Sequence, residues 1–392
     1  MIFVSVLLLS FHFYFIYFVN STYISAFVGE KLVSIVYGVG ALLSIILFIQ
    51  APRLLRKFGV VQLTIGLALI EALSVILLAF PLHPAIAVAS FLLHMLVASV
   101  LLYCIDMLLE AYSKANEAGS IRGTFLTVWN IPPIITPFIA GMIIADRDLN
   151  LSNLGSGAIN ALHIAGFWKI YLISALFLIP FIVIIKSNFS KFKDPDYPIV
   201  SIRPALASFY KNHNIFDIFA DRLLLNLYFA WTVVYLPIYL HEYVGFSWNE
   251  IGILFSVMLL PYIFFERAIG KIQDKLHDEK HLLIWGFFLL ALGSIIQPFL
   301  NTPHLFAWII LLFMSHVGAA FIEVSTESYF FRHVKPTNST FISLFRMTRT
   351  LPYLILPVIA SISLYFLPFG HMFFILGLIM FVGMRYAFLI KN

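Results

Sequence analysis

The sequence predicts an all-α membrane protein in which twelve transmembrane helices form two pseudo-symmetric six-helix bundles. Three observations support this fold class. Hydrophobic residues make up 61% of the 392 residues and charged residues only 11%, whereas a soluble domain carries about 25% charged residues. Apolar stretches long enough to cross a bilayer, about 20 residues each, recur along the whole chain. Short polar patterns of the first half also recur in the second half.

Each apolar stretch is interpreted as one helix that crosses the membrane. The first stretch lacks the basic start and the small-residue cleavage site of a signal peptide, so we expect it to remain as the first span. No connecting loop is long enough to form a soluble domain. The spans are expected at about residues 2–22, 32–50, 60–80, 85–109, 122–145, 164–186, 217–240, 248–266, 282–300, 304–330, 341–367 and 370–390.

The basic residues predict the orientation. If the N-terminus is cytoplasmic, all of the 24 Lys and Arg residues except Lys31, Arg147 and Lys169 lie on the cytoplasmic side. This distribution is the positive-inside pattern of multi-pass membrane proteins. We therefore expect both termini to be cytoplasmic, in the inner membrane if the source is bacterial. Topology also explains the net charge of +5, so no nucleic-acid partner is expected.

A polar stretch divides the chain. It contains Lys191, Lys193, Asp194 and Asp196 and has few apolar residues. The predicted organisation is an N-terminal bundle at 1–186, a cytoplasmic central loop at 187–214 and a C-terminal bundle at 215–392.

Three short matches link the two halves at nearly one offset. Residues 106–112 and 323–329 both read acid-x-x-x-acid-x-Tyr, residues 132–141 and 352–361 both read Pro-x4-Pro-x-Ile-Ala-small, and a Val-Gly pair precedes the second and the eighth span. The common order and offset indicate an internal repeat, with a pseudo-two-fold axis along the membrane normal.

Two six-helix halves with cytoplasmic termini resemble the major facilitator superfamily of secondary transporters. The signature loop of that family reads Gly-x-x-x-Asp-Arg/Lys-x-Gly-Arg-Arg/Lys after its second and eighth helices. Gly270 to Lys275, with Asp274 at the acid position, resembles the second copy. The first copy, from Ala51 to Gly59, keeps the basic cluster but has Leu55 in place of the acid.

The fifth span bears a fainter resemblance to the drug and proton antiporters of the superfamily. Gly123, Pro137 and Gly141 fit their glycine-rich pattern, but Pro132, Thr136 and Ala140 replace its other glycines. This half-match slightly favours export over import.

The resemblance implies a secondary active transporter that works by alternating access and is not an enzyme. The sequence has no Walker loop, so an ion gradient, most simply of protons, is expected to supply the energy. Few mid-span charges argue against a strongly ionic solute, and the sparse hydroxyl and amide lining argues against a dedicated sugar site, so a hydrophobic or amphipathic solute is favoured. We expect a monomer in the lipid bilayer, with no cofactor, metal site or catalytic residue.

Charged residues at the cytoplasmic ends of matching spans are candidates for a gate. In the resembled family, acids at the ends of helices 4 and 10 and arginines near helices 5 and 11 hold the cytoplasmic side closed. Plain interfacial charge that sets the helix ends is the alternative. The candidate gate residues are Asp106, Glu110, Arg122, Asp274, Lys275, Glu323, Glu327, Arg332, Arg346 and Arg349.

Polar residues near the midplane are candidates for the substrate cavity, which helices 1, 4, 7 and 10 line in the resembled fold. The candidates are His12, His94, Asn130, Asn226, Tyr228, Trp231 and His316. A histidine can also carry a coupling proton, but a buried neutral histidine bound to a neighbouring helix is the more common case. Glu71 lies in mid-span with no arginine nearby in sequence, and a structural hydrogen bond is favoured over a transport role.

Other functions stay open. An uptake permease for a sugar or another nutrient would have the same fold. A membrane-embedded transferase for a lipid-linked substrate is a different class, and the two equal halves and the lack of a large extramembrane loop argue against it. A receptor or lipid scramblase that retains the transporter fold is a third class.

Overall fold

A computed structural model shows the chain as a helical protein. It describes residues 1–112, 124–125, 127–144, 157–194, 213–265, 269, 279–300, 302–333, 345 and 347–390. No strand occurs among these residues.

Fourteen α-helices have both ends within the described ranges. They are α1 Ile2–Tyr17, α2 Asn20–Val28, α3 Glu30–Phe58, α4 Val60–Ala79, α5 Pro84–Tyr112, α6 Pro132–Ile143, α7 Ala158–Ala165, α8 Phe167–Phe189, α9 His213–Ile238, α10 Trp248–Met258, α11 Glu279–Ile296, α12 Leu305–His333, α13 Pro352–Phe366 and α14 Met372–Leu389.

Nine helices of the described part are long and apolar enough to cross a membrane, with mean hydropathies between 1.5 and 2.6. The pair α1 and α2 meets the same criteria when the two helices are taken together, with a bend of 40° between them. Two shorter apolar helices, Thr127–Ile143 and Pro352–Phe366, coincide with the predicted fifth and eleventh spans. A multi-pass membrane protein is therefore confirmed, whereas a count of twelve spans stays a prediction.

Glycine and proline set several helix boundaries. Gly59 separates α3 from α4 with φ +74°, a left-handed conformation that side chains with a Cβ atom rarely adopt. Pro132 and Pro352 begin α6 and α13, because the first helical residue needs no N–H donor. Pro237 near the end of α9 is followed by a π-helical turn, Tyr239–Val244.

One compact unit comprises Met1–Ile199 together with Ser247–Ser256. In it, α4 packs against α5 and α8, and α1 packs against α8. Asp194 also belongs to this unit, and its Oδ1 atom accepts a hydrogen bond from the N–H of Val60 at 2.8 Å. A carboxylate at a helix N-terminus satisfies a free donor and complements the helix dipole, so Asp194 caps α4.

The second unit comprises Val200–Phe246 and Val257–Asn392. Helix α11 packs against α12 and α14, and α9 packs against α12, α13 and α14. Gly286 and Gly318 bring α11 and α12 together, because a Cβ atom at Gly318 would lie 2.6 Å from the carbonyl oxygen of Gly286. Residues 247–256 fall outside this unit, although the predicted C-terminal bundle at 215–392 includes them; the predicted boundaries stay untested.

Candidate functional site

The first unit contains a buried cluster of three ionisable side chains from three helices. Glu71 lies on α4, His12 on α1 and His94 on α5. Glu71 and His12 are inaccessible to solvent, and His94 is 7% exposed. Ionisable groups at membrane depth are unfavourable unless they are paired, and they commonly mark functional sites. This cluster is therefore the leading candidate site.

One carboxylate oxygen joins the three side chains. Oε1 of Glu71 lies 3.0 Å from Nε2 of His12 and is also hydrogen-bonded to Nδ1 of His94. The hydroxyl of Ser74 donates to the backbone oxygen of Glu71 at 2.8 Å and lies near Oε2 at 3.5 Å. The hydrogen bond expected for Glu71 is therefore present, and its partners are two of the histidines predicted for the cavity.

Ser174 on α8 fixes the protonation of His12. Nδ1 of His12 lies 3.2 Å from the carbonyl oxygen of Ser174 and 2.8 Å from its hydroxyl, which donates to the carbonyl oxygen of His12 at 2.7 Å. A carbonyl oxygen only accepts, and the serine proton is already used. Nδ1 of His12 is therefore the donor, and Nε2 faces Glu71.

This assignment leaves one proton between Nε2 of His12 and Oε1 of Glu71. If Nε2 carries it, His12 is a cation beside an anionic Glu71; if Oε1 carries it, both groups are neutral. His94 is neutral when only its Nδ1 carries a proton, which it donates to the same oxygen. The cluster then has no net charge in either case. A low-dielectric interior favours such neutrality, so the cluster is a site for one shared proton.

The same residue types also suit a transition metal, and their three ligand atoms lie within 4.8 Å of one another. In this structure Oε1 of Glu71 is in direct hydrogen-bonding contact with both imidazole nitrogens.

A second charged cluster lies in the second unit. Arg222 on α9 is 1% exposed, and its Nη2 atom lies 2.8 Å from Oε1 of Glu323 and 3.3 Å from Oε1 of Glu327 on α12. Its guanidinium carbon lies 5.8 Å from the ring centre of Phe345. One buried cation is thus shared by two candidate gate acids that lie one helical turn apart.

Hydrogen bonds tie this cluster to its neighbours. Nη1 of Arg222 donates to Oγ1 of Thr326 at 3.4 Å. The side-chain amide of Asn226 donates to the carbonyl oxygen of Arg222 at 2.9 Å and to Oγ1 of Thr348 at 3.2 Å. Asn226, predicted for the cavity, therefore lies beside the charge cluster.

Most of the other predicted gate residues lie outside the described part of the chain. Arg122, Asp274, Lys275 and Arg346 fall in undescribed positions, as do the side chains of Asp106, Glu110 and Arg332. Arg349 is exposed. Among the described residues, the arginine that binds Glu323 and Glu327 is Arg222 rather than one near the eleventh span.

The remaining cavity candidates lie at several places. Tyr228 and His316 form an edge-on ring contact, with centroids 5.8 Å apart. Trp231 is inaccessible to solvent and lies 6.0 Å from the ring of Tyr235. Asn130 is half-buried, and its neighbour Trp129 donates to the hydroxyl of Tyr14 at 3.1 Å.

Arg222 and Ser174 are not among the site residues that the sequence predicts. Arg222 counts among the basic residues of the predicted cytoplasmic side, although it falls inside the predicted span 217–240, and an arginine within a span is a signal for a functional site. Ser174 gave no signal, because a serine in a membrane helix commonly bonds its own backbone.

Comparisons with known proteins agree with this fold. Residues 218–391 match a family model described as Major Facilitator Superfamily. The lactose permease of Citrobacter freundii is 32% identical over 102 residues, which cover 24% of this chain and 24% of the permease. The match thus spans about a quarter of the permease's length.

Solved transporters share the fold over nearly the whole chain. A POT family transporter in complex with 5-aminolevulinic acid has a TM-score of 0.75 at 13% identity and covers 99% of this chain and 94% of its own. The nucleoside transporter NupG has a TM-score of 0.72 at 13% identity and covers 100% of both chains. A peptide transporter POT in complex with sulfate has a TM-score of 0.72 at 14% identity, with coverages of 100% and 95%.

Proposed function

We propose that this chain is a secondary active transporter of the major facilitator superfamily, driven by protons, and not an enzyme. In this proposal it moves a small molecule across the membrane by alternating access. The observation that carries the proposal is the contact of one oxygen, Oε1 of Glu71, with Nε2 of His12 and with Nδ1 of His94.

Proton coupling follows from the charge balance of this cluster. The neutral state with one shared proton is stable in a membrane interior, whereas loss of that proton leaves an uncompensated carboxylate. Deprotonation therefore requires that water or a cation reach the cluster. A conformational change that opens the first unit to one side of the membrane would let the proton leave on that side only.

The Arg222 cluster supports the gate part of the proposal. Glu323 and Glu327 both contact the buried guanidinium of Arg222, and separation of α9 from α12 would break both contacts. The two acids would thus stabilise one conformation. By the internal repeat, we infer that Asp106 and Glu110 have the same role in the first half.

For the whole chain, we propose the organisation that the sequence predicts. Twelve spans form bundles at 1–186 and 215–392, joined by the loop at 187–214, with both termini cytoplasmic in a monomer. The cavity residues are His12, His94, Asn130, Asn226, Tyr228, Trp231 and His316, and the remaining gate residues are Arg122, Asp274, Lys275, Arg332, Arg346 and Arg349. The favoured cargo is a hydrophobic or amphipathic solute that is exported in exchange for protons.

Uptake of a sugar or another small nutrient is the second candidate. It is favoured by the 32% identity to a lactose permease over 102 residues. In this case protons and solute would move in the same direction through the same cluster. The direction of proton movement relative to solute distinguishes the two candidates.

The test uses purified full-length protein in liposomes with a pH gradient imposed in either direction. The probes are labelled lactose, a nucleoside, a dipeptide and a hydrophobic amine. We expect the pH gradient to drive accumulation of at least one probe. Glu71→Gln should reduce this accumulation at least tenfold while exchange of labelled for unlabelled probe continues, because exchange requires no release of the proton.

His304→Gln is the control, because His304 is exposed and lies outside both clusters. Folding of each variant is checked by its melting temperature. Accumulation by folded Glu71→Gln at the level of the unmodified protein would refute the proposed role of the cluster.

A further inference from the structure

Three ionisable residues of α9 lie four positions apart and therefore on one helix face. They are His213, Asp217 and Asp221. His213 is exposed, Asp217 is 7% exposed, and Asp221 is inaccessible to solvent. Each step along this face advances about 6 Å into the helix. The face thus leads from the surface to a buried carboxyl group.

Asp221 has no hydrogen-bond partner for either carboxylate oxygen among the described residues. The neighbouring Arg222 does not serve it, because Glu323 and Glu327 bind that guanidinium. Buried polar groups are nearly always hydrogen-bonded, so each exception needs an explanation. A carboxyl group without a hydrogen-bond partner is still less expected inside a membrane-spanning helix than in a soluble protein.

The charged side chains described on the neighbouring helices do not neutralise Asp221. On α12, Glu323 and Glu327 are bound by Arg222, and His333 is exposed; the side chain of Arg332 lies outside the described part. Helix α13 contains no acidic, basic or histidine residue, and on α14 Arg385 is exposed. On α9 itself, the ionisable residue one turn away on the same face is Asp217, which is also acidic. An anionic Asp221 would therefore lie beside a second acidic group.

Only a bound cation neutralises such a group. A sodium ion needs several oxygen ligands, as hard cations do, and among the described residues no hydrogen-bonding group lies against the carboxyl group of Asp221. A proton needs one oxygen atom. It binds to Asp221 as an O–H group and leaves as a free proton, with no other change in bonding.

We propose that Asp221 is a second proton-binding group, which exchanges protons with the cytoplasmic surface by way of Asp217. This site is separate from the His12–Glu71–His94 cluster and shares no residue with it. Each unit of the transporter then contains one protonatable carboxyl group, Glu71 in the first and Asp221 in the second. Two protons could bind in one transport cycle.

Infrared difference spectroscopy tests this proposal on the full-length protein in lipid, without a substrate. A protonated carboxyl group has a carbonyl stretch that is distinct from that of a carboxylate. We expect Asp221→Asn to lose one protonated-carboxyl component that Glu71→Gln retains. Asp217→Asn should retain the component but slow its hydrogen–deuterium exchange.

Asp194→Asn is the control, because Asp194 is an exposed acid and asparagine also caps helices. Asn mimics the neutral carboxyl group, so Asp221→Asn should fold with an unchanged melting temperature. An unchanged carboxyl spectrum in Asp221→Asn would overturn the proposal. So would a component that responds to added sodium at constant pH, because the occupant would then be sodium. Since Glu71→Gln reports on the other cluster, failure here leaves the test of the proposed function intact.

Discussion

Nε2 of His12 lies 3.0 Å from Oε1 of Glu71, and neither side chain is reached by solvent. The same oxygen binds His94, so one atom connects α1, α4 and α5. A contact of this kind contributes to both stability and function, and the two contributions respond differently to substitution.

Two replacements of Glu71 distinguish how much its charge and how much its hydrogen bonds contribute to stability. Glu71→Ala leaves two buried imidazoles without their acceptor, and removal of one partner from a buried pair destabilises by about 3–5 kcal/mol. Glu71→Gln keeps an acceptor oxygen and should destabilise by about 1–3 kcal/mol. Denaturant unfolding in detergent measures both values. Equal losses for the two variants would contradict this account.

Ser174→Ala tests the bonds that fix the orientation of His12. It removes the hydroxyl contacts to Nδ1 and to the carbonyl oxygen of His12 but leaves the Ser174 carbonyl in place. We expect a loss of about 1–2 kcal/mol. Ser187→Ala, on the exposed end of α8, is the control and should change stability by less than about 0.5 kcal/mol. A loss in the control as large as in Ser174→Ala would show that the His12 contact is not the cause.

Double-mutant cycles rank the two partners of Arg222. Arg222→Met is combined with Glu323→Gln and separately with Glu327→Gln. The coupling to Glu323 should be about 1.5–3 kcal/mol, because that bond is short and charge-assisted. The coupling to Glu327 should be below about 1 kcal/mol, since its contact is longer and its side chain is 30% exposed. A stronger coupling to Glu327 would contradict the geometry.

Two glycine-to-alanine substitutions should change the stability of the protein in opposite directions. An added Cβ atom at Gly318 would lie 2.6 Å from a backbone oxygen, whereas at Gly66 it would meet nothing within 4 Å. Gly318→Ala should destabilise by about 1–3 kcal/mol through overpacking. Gly66→Ala should stabilise by about 0.5–1 kcal/mol, because alanine favours the helix. Melting temperatures of the two variants measure the contrast, and a stabilised Gly318→Ala would show that α11 and α12 can separate.

The membrane class and the family could be predicted from the sequence because they depend on local properties. Apolar stretches of bilayer length and the Gly270 to Lys275 motif are visible without knowledge of the fold. Every predicted span overlaps a described helix, although the bent pair α1 and α2 and two short helices keep the exact count open.

The candidate site was less predictable because its contacts join distant parts of the chain. His12 and Glu71 are 59 positions apart, and His12 and Ser174 are 162 apart. A mid-span acid without an arginine nearby in the sequence gives no sign of its partners, because a histidine from a distant helix also binds a carboxyl group. A basic residue near a span end usually sets the topology, so the sequence does not reveal that Arg222 binds two acids.

The hydrogen bond from Val60 to Asp194 has a practical consequence for work with separate halves of the chain. A fragment that ends at residue 186, the predicted boundary of the first bundle, would lack the carboxylate that caps α4. Leu55, near the end of α3, stands where the resembled motif has an acid, and Asp194 places a carboxylate beside Gly59 at the end of the same segment. Fragments for split expression should therefore extend beyond Asp194.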